Sequence, residues 1–158
     1  YWMKGGVGTS SRSVDDLIVA TLAVVNAVGD IVDGNGAILA GAREKNGTFL
    51  AQKDPVRVFA RGKVLTKVNT TLVVMATNAA FSKIDLFRIC QRMHDGMARA
   101  VVPVHTSYDG DVSFALSAGQ VNADLDFVAE LAAELTAEAI RRAVRIAKGV
   151  PGVRSLSI

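Results

Sequence analysis

The feature that most restricts this chain is the run Leu17-Ile18-Val19-Ala20-Thr21-Leu22-Ala23-Val24-Val25-Asn26-Ala27-Val28-Gly29, 13 residues without a charge. A membrane-spanning helix needs about 20 apolar residues, so this run is too short to cross a bilayer. Its β-branched residues suit a pleated strand, and its length suits one strand or two. It is therefore expected at the centre of a sheet covered on both faces. A chain of 158 residues can bury such a sheet within one domain. Half of the residues are apolar, which is rich for a monomer and points to further surface buried between subunits.

The segments around that run are punctuated clearly. Ile31-Val32 and Ala37-Ile38-Leu39 flank Asp33-Gly34-Asn35-Gly36, a hairpin signal because Asp-Gly and Asn-Gly accept positive φ. Gly5, Gly6 and Gly8 read as a tight turn, since their spacing fits neither common phosphate-binding pattern. Residues 41–67 are mixed and charged, with Asn46-Gly47 and Pro55, and read as an irregular, partly mobile connector. Thr71 to Thr77 reads as a strand. Ser82-Lys83-Ile84-Asp85 is a capping box opening a helix whose Ile84, Phe87, Cys90, Met93 and Met97 recur at helical spacing. That helix should end near Ala100, ahead of Pro103. The turn Tyr108-Asp109-Gly110-Asp111 precedes a strand over Val112–Leu116. A long helix begins near Asp124 and carries Leu125, Val128, Leu131, Leu135, Ile140 and Val144 before Gly149 and Pro151 stop it. A block of strands followed by strand, helix, strand, helix predicts helices packed on a sheet.

Charge narrows the partners. The net charge is +3, both signs are interspersed, and no basic run reaches five residues, which argues against a nucleic-acid surface. The single Cys90 cannot form an internal disulfide and reads as a core thiol in a reducing compartment, the cytoplasm. No signal-peptide pattern is present, and a chain opening at Tyr1 without Met reads as the interior of a longer protein.

Several residues could carry chemistry. In Asn69-Thr70-Thr71, two hydroxyls stand at the mouth of a strand. Turn and strand propensity explain them without any function. Alternatively, Thr70 is a nucleophile. A Thr hydroxyl needs a base, and an α-amine on the same residue, with an ordinary pKa of about 8, is one solution. That amine exists only if the Asn69–Thr70 bond is cut. Asp109 and Asp111, on either side of Gly110, could bind a metal, orient a hydroxyl or cap a turn; no further acids follow at EF-hand spacing. His94 and His105 form no metal-ligand spacing with Cys90, and are expected on a helix flank and in a structural role respectively. No G-x-S-x-G elbow supports a serine triad. Asn26 is either a paired structural amide or an N–H donor to a developing oxyanion. Lys4 is either a surface cation or a partly desolvated amine beside a moving proton.

Together these pieces resemble a family. Asn69-Thr70-Thr71-Leu72-Val73-Val74-Met75-Ala76-Thr77-Asn78-Ala79 is similar to the self-cleavage junction of the DmpA-type aminopeptidases. His94-Asp95-Gly96-Met97-Ala98-Arg99-Ala100 and Pro103-Val104-His105-Thr106-Ser107-Tyr108-Asp109-Gly110-Asp111 are similar to the landmarks that follow it. Lys4-Gly5-Gly6-Val7-Gly8-Thr9 and Val25-Asn26-Ala27-Val28-Gly29-Asp30 are similar to those upstream. Within the family, the Thr nucleophile, the Asn-Ala-Val-Gly-Asp form and the two aspartates most resemble the nylon-oligomer hydrolases, which cut the amide bonds of 6-aminohexanoate oligomers. The resemblance covers nearly the whole chain and is loosest over 12–16 and 41–67.

The resemblance implies a four-layered αββα fold of the α/β (α+β) kind and self-cleavage between Asn69 and Thr70. Residues 1–69 would end one subunit and 70–158 would form the next, within a single domain of a longer precursor whose remainder lies ahead of Tyr1. It places the nucleophile on Thr70, Asn26 in the oxyanion hole, and Lys4, Asp109 and Asp111 around the nucleophile. It implies a small amide oligomer as substrate, a tetramer of cleaved units, and neither metal nor organic cofactor. Three alternatives stay open: an aminopeptidase or esterase for D- or β-amino acids on the same fold, a relative of the ornithine acetyltransferases, and a non-catalytic oligomeric binding protein left uncut.

Overall fold

The computed structural model describes residues 3–53 and 69–156. In chain order the elements are β1 (Gly6–Val14), β2 (Leu17–Asn26), β3 (Asp30–Val32), β4 (Ile38–Ala40), the single turn α1 (Leu50–Lys53), β5 (Thr70–Ala79), α2 (Lys83–Ala100), β6 (Val101–Val102), β7 (Val112–Val121) and α3 (Leu125–Ile146). The uncharged run becomes β2 and pairs antiparallel with β1 on one side and β5 on the other; β7 adds to β5 in parallel, giving the order β1-β2-β5-β7. The Asp33–Gly36 hairpin forms as its residues dictate. The Asp33 carboxylate accepts the N–H groups of Asn35 and Ala37, Gly36 sits at φ +82, and β4, β3 and β6 make a small second sheet.

Strand alternation decides which side of the large sheet is core. Val19, Thr21, Ala23 and Val25 of β2 and Thr71, Val73, Met75 and Thr77 of β5 are buried beneath α2 and α3. The intervening Ile18, Leu22, Val24, Leu72, Phe114 and Leu116 face the other way and are exposed. The expectation of a sheet covered on both faces is thus met on one face only among the described residues. A four-layered sandwich would set a second sheet against the other.

Both long helices obey their caps. Ser82 and Asp85 form the reciprocal capping box, and Asp124 caps α3 by accepting the Phe127 N–H at 2.8 Å. The buried stripe of α3 contains Val128, Leu131, Leu135, Ile140 and Val144, as its spacing predicts. The stripe of α2 is a correction. Ile84 and Phe87 are 75% and 63% exposed, and burial falls instead on Ile89, Met93, Gly96, Met97 and Ala100. The helix rotates because Gly96 lets the backbone of α3 come close; a Cβ there would stand 2.3 Å from the Ala133 carbonyl oxygen. Arg141 of α3 donates to the Val32 and Arg99 carbonyls, tying the small sheet to both helices.

The glycine run at the start is also corrected. It is not a turn: Gly6 and Gly8 lie within β1, pressed against α3. A Cβ on Gly8 would meet the Ala139 carbonyl oxygen at 2.2 Å, so only glycine lets strand and helix approach this closely. In the connector, Glu44 and Thr48 close a short turn around Gly47, with the Arg43 guanidinium over the Phe49 ring. The remainder of 41–67, including Pro55, lies outside the described residues.

Candidate active site

β2 ends where β5 begins, and Asn26 is the register partner of Thr70. Strand parity turns both side chains toward the exposed face of the large sheet, away from the helices. Ahead of β1, Lys4 donates its backbone N–H to the Arg154 carbonyl. Lys4, Asn26 and Asn69 line one cleft of about 270 Å³, together with Gly29 and Gly41.

Around Asn69 the chain is held on both sides. Its N–H donates to the Tyr108 carbonyl at 3.1 Å, and its own carbonyl oxygen accepts the Gly110 N–H at 2.8 Å. The same oxygen accepts the Thr70 hydroxyl at 2.6 Å. Asn69 is 7% exposed, so both donors reach a carbonyl largely sheltered from water. Gly110 is close for a reason: a Cβ there would stand 3.2 Å from Thr70 Oγ1.

The two aspartates have separate partners. Asp109 accepts the Val28 N–H through Oδ1 at 3.2 Å, and the Thr106 N–H and hydroxyl through Oδ2 at 3.2 and 2.6 Å. It therefore ties the turn after Asn26 to the loop that carries Gly110. Asp111 accepts the Thr71 N–H through Oδ1 at 2.7 Å, and the ring and backbone N–H groups of His105 through Oδ2 at 2.8 and 3.3 Å. One carboxylate positions the loop, and the other grips the residue after Thr70.

Two acid–base groups nearby are displaced from their ordinary ranges. Burial pushes the Asp30 carboxyl up to about 6, against a hydrogen bond from Ala42 that pulls it down. Burial, aided by the charge of His105, lowers the His94 imidazole, while Asp111 and Asp95 pull it the other way. Among the described residues, no group of three His, Cys, Asp or Glu side chains is placed to hold a metal ion. No described helix is long and apolar enough to cross a membrane.

Asn26, Thr70, Asn69, Asp109 and Asp111 thus come together, and Lys4 shares a cleft with Asn26 and Asn69. Sequence reasoning missed the Gly110 N–H, the Thr106 tie and the pairing of His105 with Asp111. The signal for Gly110 was its place between two carboxylates; a backbone donor leaves no other mark.

Similarity to known proteins defines the class. The chain matches the structure of an L-aminopeptidase D-Ala-esterase/amidase from Ochrobactrum anthropi, described as a variant of the Ntn hydrolase fold, with a TM-score of 0.64 at 22% identity, covering 98% of this chain and 45% of that one. A β-aminopeptidase of Burkholderia sp. matches with a TM-score of 0.60 at 24% identity, over 90% of this chain and 42% of that one. The fold is therefore α+β, of the Ntn-hydrolase variant. The model of Peptidase family S58 matches residues 1–157, and the chain belongs to that family. An uncharacterised aminopeptidase of Mycobacterium tuberculosis is 38% identical over 132 residues, 75% of this chain and 37% of that protein. The 6-aminohexanoate-oligomer endohydrolase of Paenarthrobacter ureafaciens is 29% identical over 123 residues, 74% of this chain and 34% of that protein. The chain spans little more than a third of the length of these curated relatives.

Proposed function

We propose that this chain is part of an N-terminal-nucleophile amide hydrolase that cuts itself between Asn69 and Thr70. The observation that carries the reading is the Asn69 carbonyl oxygen, which accepts both the Thr70 hydroxyl and the Gly110 N–H. The Thr70 oxygen attacks the adjacent carbonyl carbon, and the Gly110 N–H stabilises the oxyanion that develops. Collapse expels the Thr70 nitrogen, which takes up the hydroxyl proton and becomes a free α-amine, leaving Asn69 esterified to Oγ1. Water then hydrolyses the ester, releasing the Asn69 carboxylate and restoring the Thr70 hydroxyl.

In turnover, that amine takes the proton of its own hydroxyl as Oγ1 attacks a substrate amide and gives it to the leaving amine; water then hydrolyses the acyl ester on Oγ1 and restores the hydroxyl. Asn26, opposite Thr70 in register, supplies a side-chain N–H for the substrate oxyanion; one such donor is typically worth about 3–4 kcal/mol. Lys4 lines the cleft beside Asn26 and offsets the charge of the two aspartates. The β2–β5 ladder continues past the cut, so the two fragments stay joined.

Linear amides are the substrate class, with 6-aminohexanoate oligomers the specific proposal, supported by the name of the Paenarthrobacter relative. The second reading, an aminopeptidase releasing N-terminal residues, is favoured by the higher identity to the mycobacterial aminopeptidase. Assembly as a tetramer of cleaved units, in the cytoplasm, completes the proposal.

The test is denaturing mass spectrometry with N-terminal sequencing of the full-length protein. Two fragments are expected, one opening Thr70-Thr71-Leu72-Val73, and Thr70→Ala should give one uncut, inactive chain. An uncut wild-type chain that hydrolyses amides would remove Thr70 from the mechanism. Turnover of N-blocked oligomers selects the endohydrolase, and a requirement for a free substrate amine selects the aminopeptidase.

A further inference from the structure

The His94–His105 pair is left without a part in that mechanism, yet it is built into the site. His105 occupies the left-handed region at φ +55, an uncommon place for a residue with a Cβ. From there its Nδ1–H reaches Asp111 Oδ2 at 2.8 Å, while Nε2 lies 3.1 Å from His94 Nδ1. The two rings stand 4.7 Å apart, tilted by 55°. The Asp111 side chain is 3% exposed and the His105 side chain 39%, so the chain of contacts runs from solvent to a sheltered carboxylate. The other oxygen of that carboxylate holds the Thr71 N–H.

We propose that His94 and His105 act as a positioning relay, transmitting the protonation state of an exposed imidazole pair through Asp111 to the backbone of Thr71, the residue bonded to the nucleophile. The proposal rests on the hydrolase reading for its kinetic consequences. The hydrogen bonds allow two states. With both rings neutral, His94 Nδ1–H donates to His105 Nε2, and His105 Nδ1–H donates to Asp111. With one proton added, His105 donates from both nitrogens and His94 accepts. A second proton would set two N–H groups face to face, an arrangement the geometry disfavours. Burial of His94 and its repulsion by His105 work in the same sense.

When His105 is cationic, part of the Asp111 charge is neutralised. Its grip on the Thr71 N–H weakens, and less negative charge remains beside the Thr70 amine. The surrounding elements also carry, among their charged or titratable groups, Tyr108 and Asp109 in the loop, Arg88, Cys90, Arg92, Asp95 and Arg99 on α2, and Glu130 on α3. Arg92 pairs with Asp95 and Glu130, and Arg99 pairs with Glu130. Asp109 is committed to Val28 and Thr106. Asp111 is thus the carboxylate hydrogen-bonded to the relay.

The experiment uses full-length protein labelled with ¹⁵N-threonine. The Thr71 amide and both imidazole rings are followed by NMR from about pH 5 to 9, where an imidazole changes charge. The Thr71 resonance should titrate with the midpoint of His105, and should be flat in His105→Asn, which tolerates the left-handed backbone. In turnover, His105→Asn should lower kcat roughly tenfold at nearly constant KM and remove the imidazole limb of the pH profile; a tenfold loss lies within the range of a misplaced catalytic group. His94→Asn, whose side-chain N–H stands where Nδ1 does, should retain more of kcat than His94→Leu. A Thr71 amide indifferent to His105 in the wild type overturns the relay, as does a His105→Asn enzyme with wild-type kcat and pH profile. An amide that titrates in an uncut, inactive protein supports the relay and sinks the hydrolase reading alone.

Discussion

The seam between β1 and α3 and the loop 103–111 position the same site by opposite means. At the seam Gly6 and Gly8 let Ala139 and Ala143 lie against the strand, and the Arg12–Glu134 pair that crosses it at 3.0 Å stands half exposed. Position there is set by volume, because an exposed ion pair of this kind contributes little. In the loop, position is set by hydrogen bonds to two carboxylates, which hold Thr106, Val28, His105 and Thr71. Volume matters less where Tyr108 faces solvent than at Gly110, where a Cβ would stand 3.2 Å from Thr70 Oγ1. Close packing fixes where the strands lie, and charge fixes how the first residues of β5 are held. The seam should thus fail on added methyl groups and be indifferent to pH, and the loop should do the reverse.

The largest effect should follow from breaking the seam. Gly8→Val would drive a Cβ into the Ala139 carbonyl, 2.2 Å away, and into the Ala143 backbone, 2.5 Å away. Neither neighbour is a flexible side-chain end, so β1 and α3 must separate. Overpacking of this kind costs about 3 kcal/mol or more. For a domain of this size that lowers Tm by roughly 6–12 °C. Thermal unfolding of Gly8→Val against the wild type measures it, and the loss should be the same at acid and neutral pH. A wild-type Tm would show that the seam yields.

Next in size is Asp109→Ala, which removes the tie between the turn after Asn26 and the loop that carries Gly110. Three donors lose their acceptor: the Val28 N–H, the Thr106 N–H and the Thr106 hydroxyl. Leaving part-buried donors unpaired costs about 1–3 kcal/mol, less than the seam mutation. The effect on chemistry should be the larger one. Displacing the Gly110 N–H from the Asn69 carbonyl by even an ångström should slow self-cleavage on the order of 100-fold. The half-time for conversion of precursor into fragments measures it. Cleavage at the wild-type rate would show that Gly110 is held without Asp109, and the contrast between packed seam and bonded loop would fail.

How much of this was legible in the sequence divides along the same line. Caps and turns act over three or four residues, so Ser82–Asp85, Asp124 and the Asp33–Gly36 hairpin could be read directly and are all formed. The strand at β5 and the apolar stripe of α3 were equally clear, because both signals are local. The register of α2 was not. Ile84 and Phe87 fit the helical spacing, yet the close approach at Gly96 turns them outward. Gly6 and Gly8 read as a turn because a missing side chain marks a close approach and a reversal alike. At the site, the hydroxyls and carboxylates were visible as residues, whereas the Gly110 N–H and the His105–Asp111 contact exist only once β5 and the loop lie side by side.

The smallest effect should come from Asp30, where the two regimes meet. Its carboxyl is packed like the seam but charged like the loop, and burial lifts its pKa from 3.8 to about 6. A carboxyl raised on folding stabilises the folded state fully below its unfolded value, and that contribution is lost as pH rises through the folded one. The protein therefore carries an unfavourable buried charge above about pH 6 and none near pH 4, where the group is protonated in the fold. Asp30→Asn removes the charge while keeping an oxygen to accept the hydrogen bond from Ala42. Its Tm should exceed that of the wild type at pH 8, by less than either change above, and the gap should close toward pH 4. Because Gly41 and Ala42 wall the cleft beside Asn26, the variant also reports whether that wall moves. A gap that persists at pH 4 would mean that shape, not charge, sets the strain at Asp30, and would assign it to the packed regime.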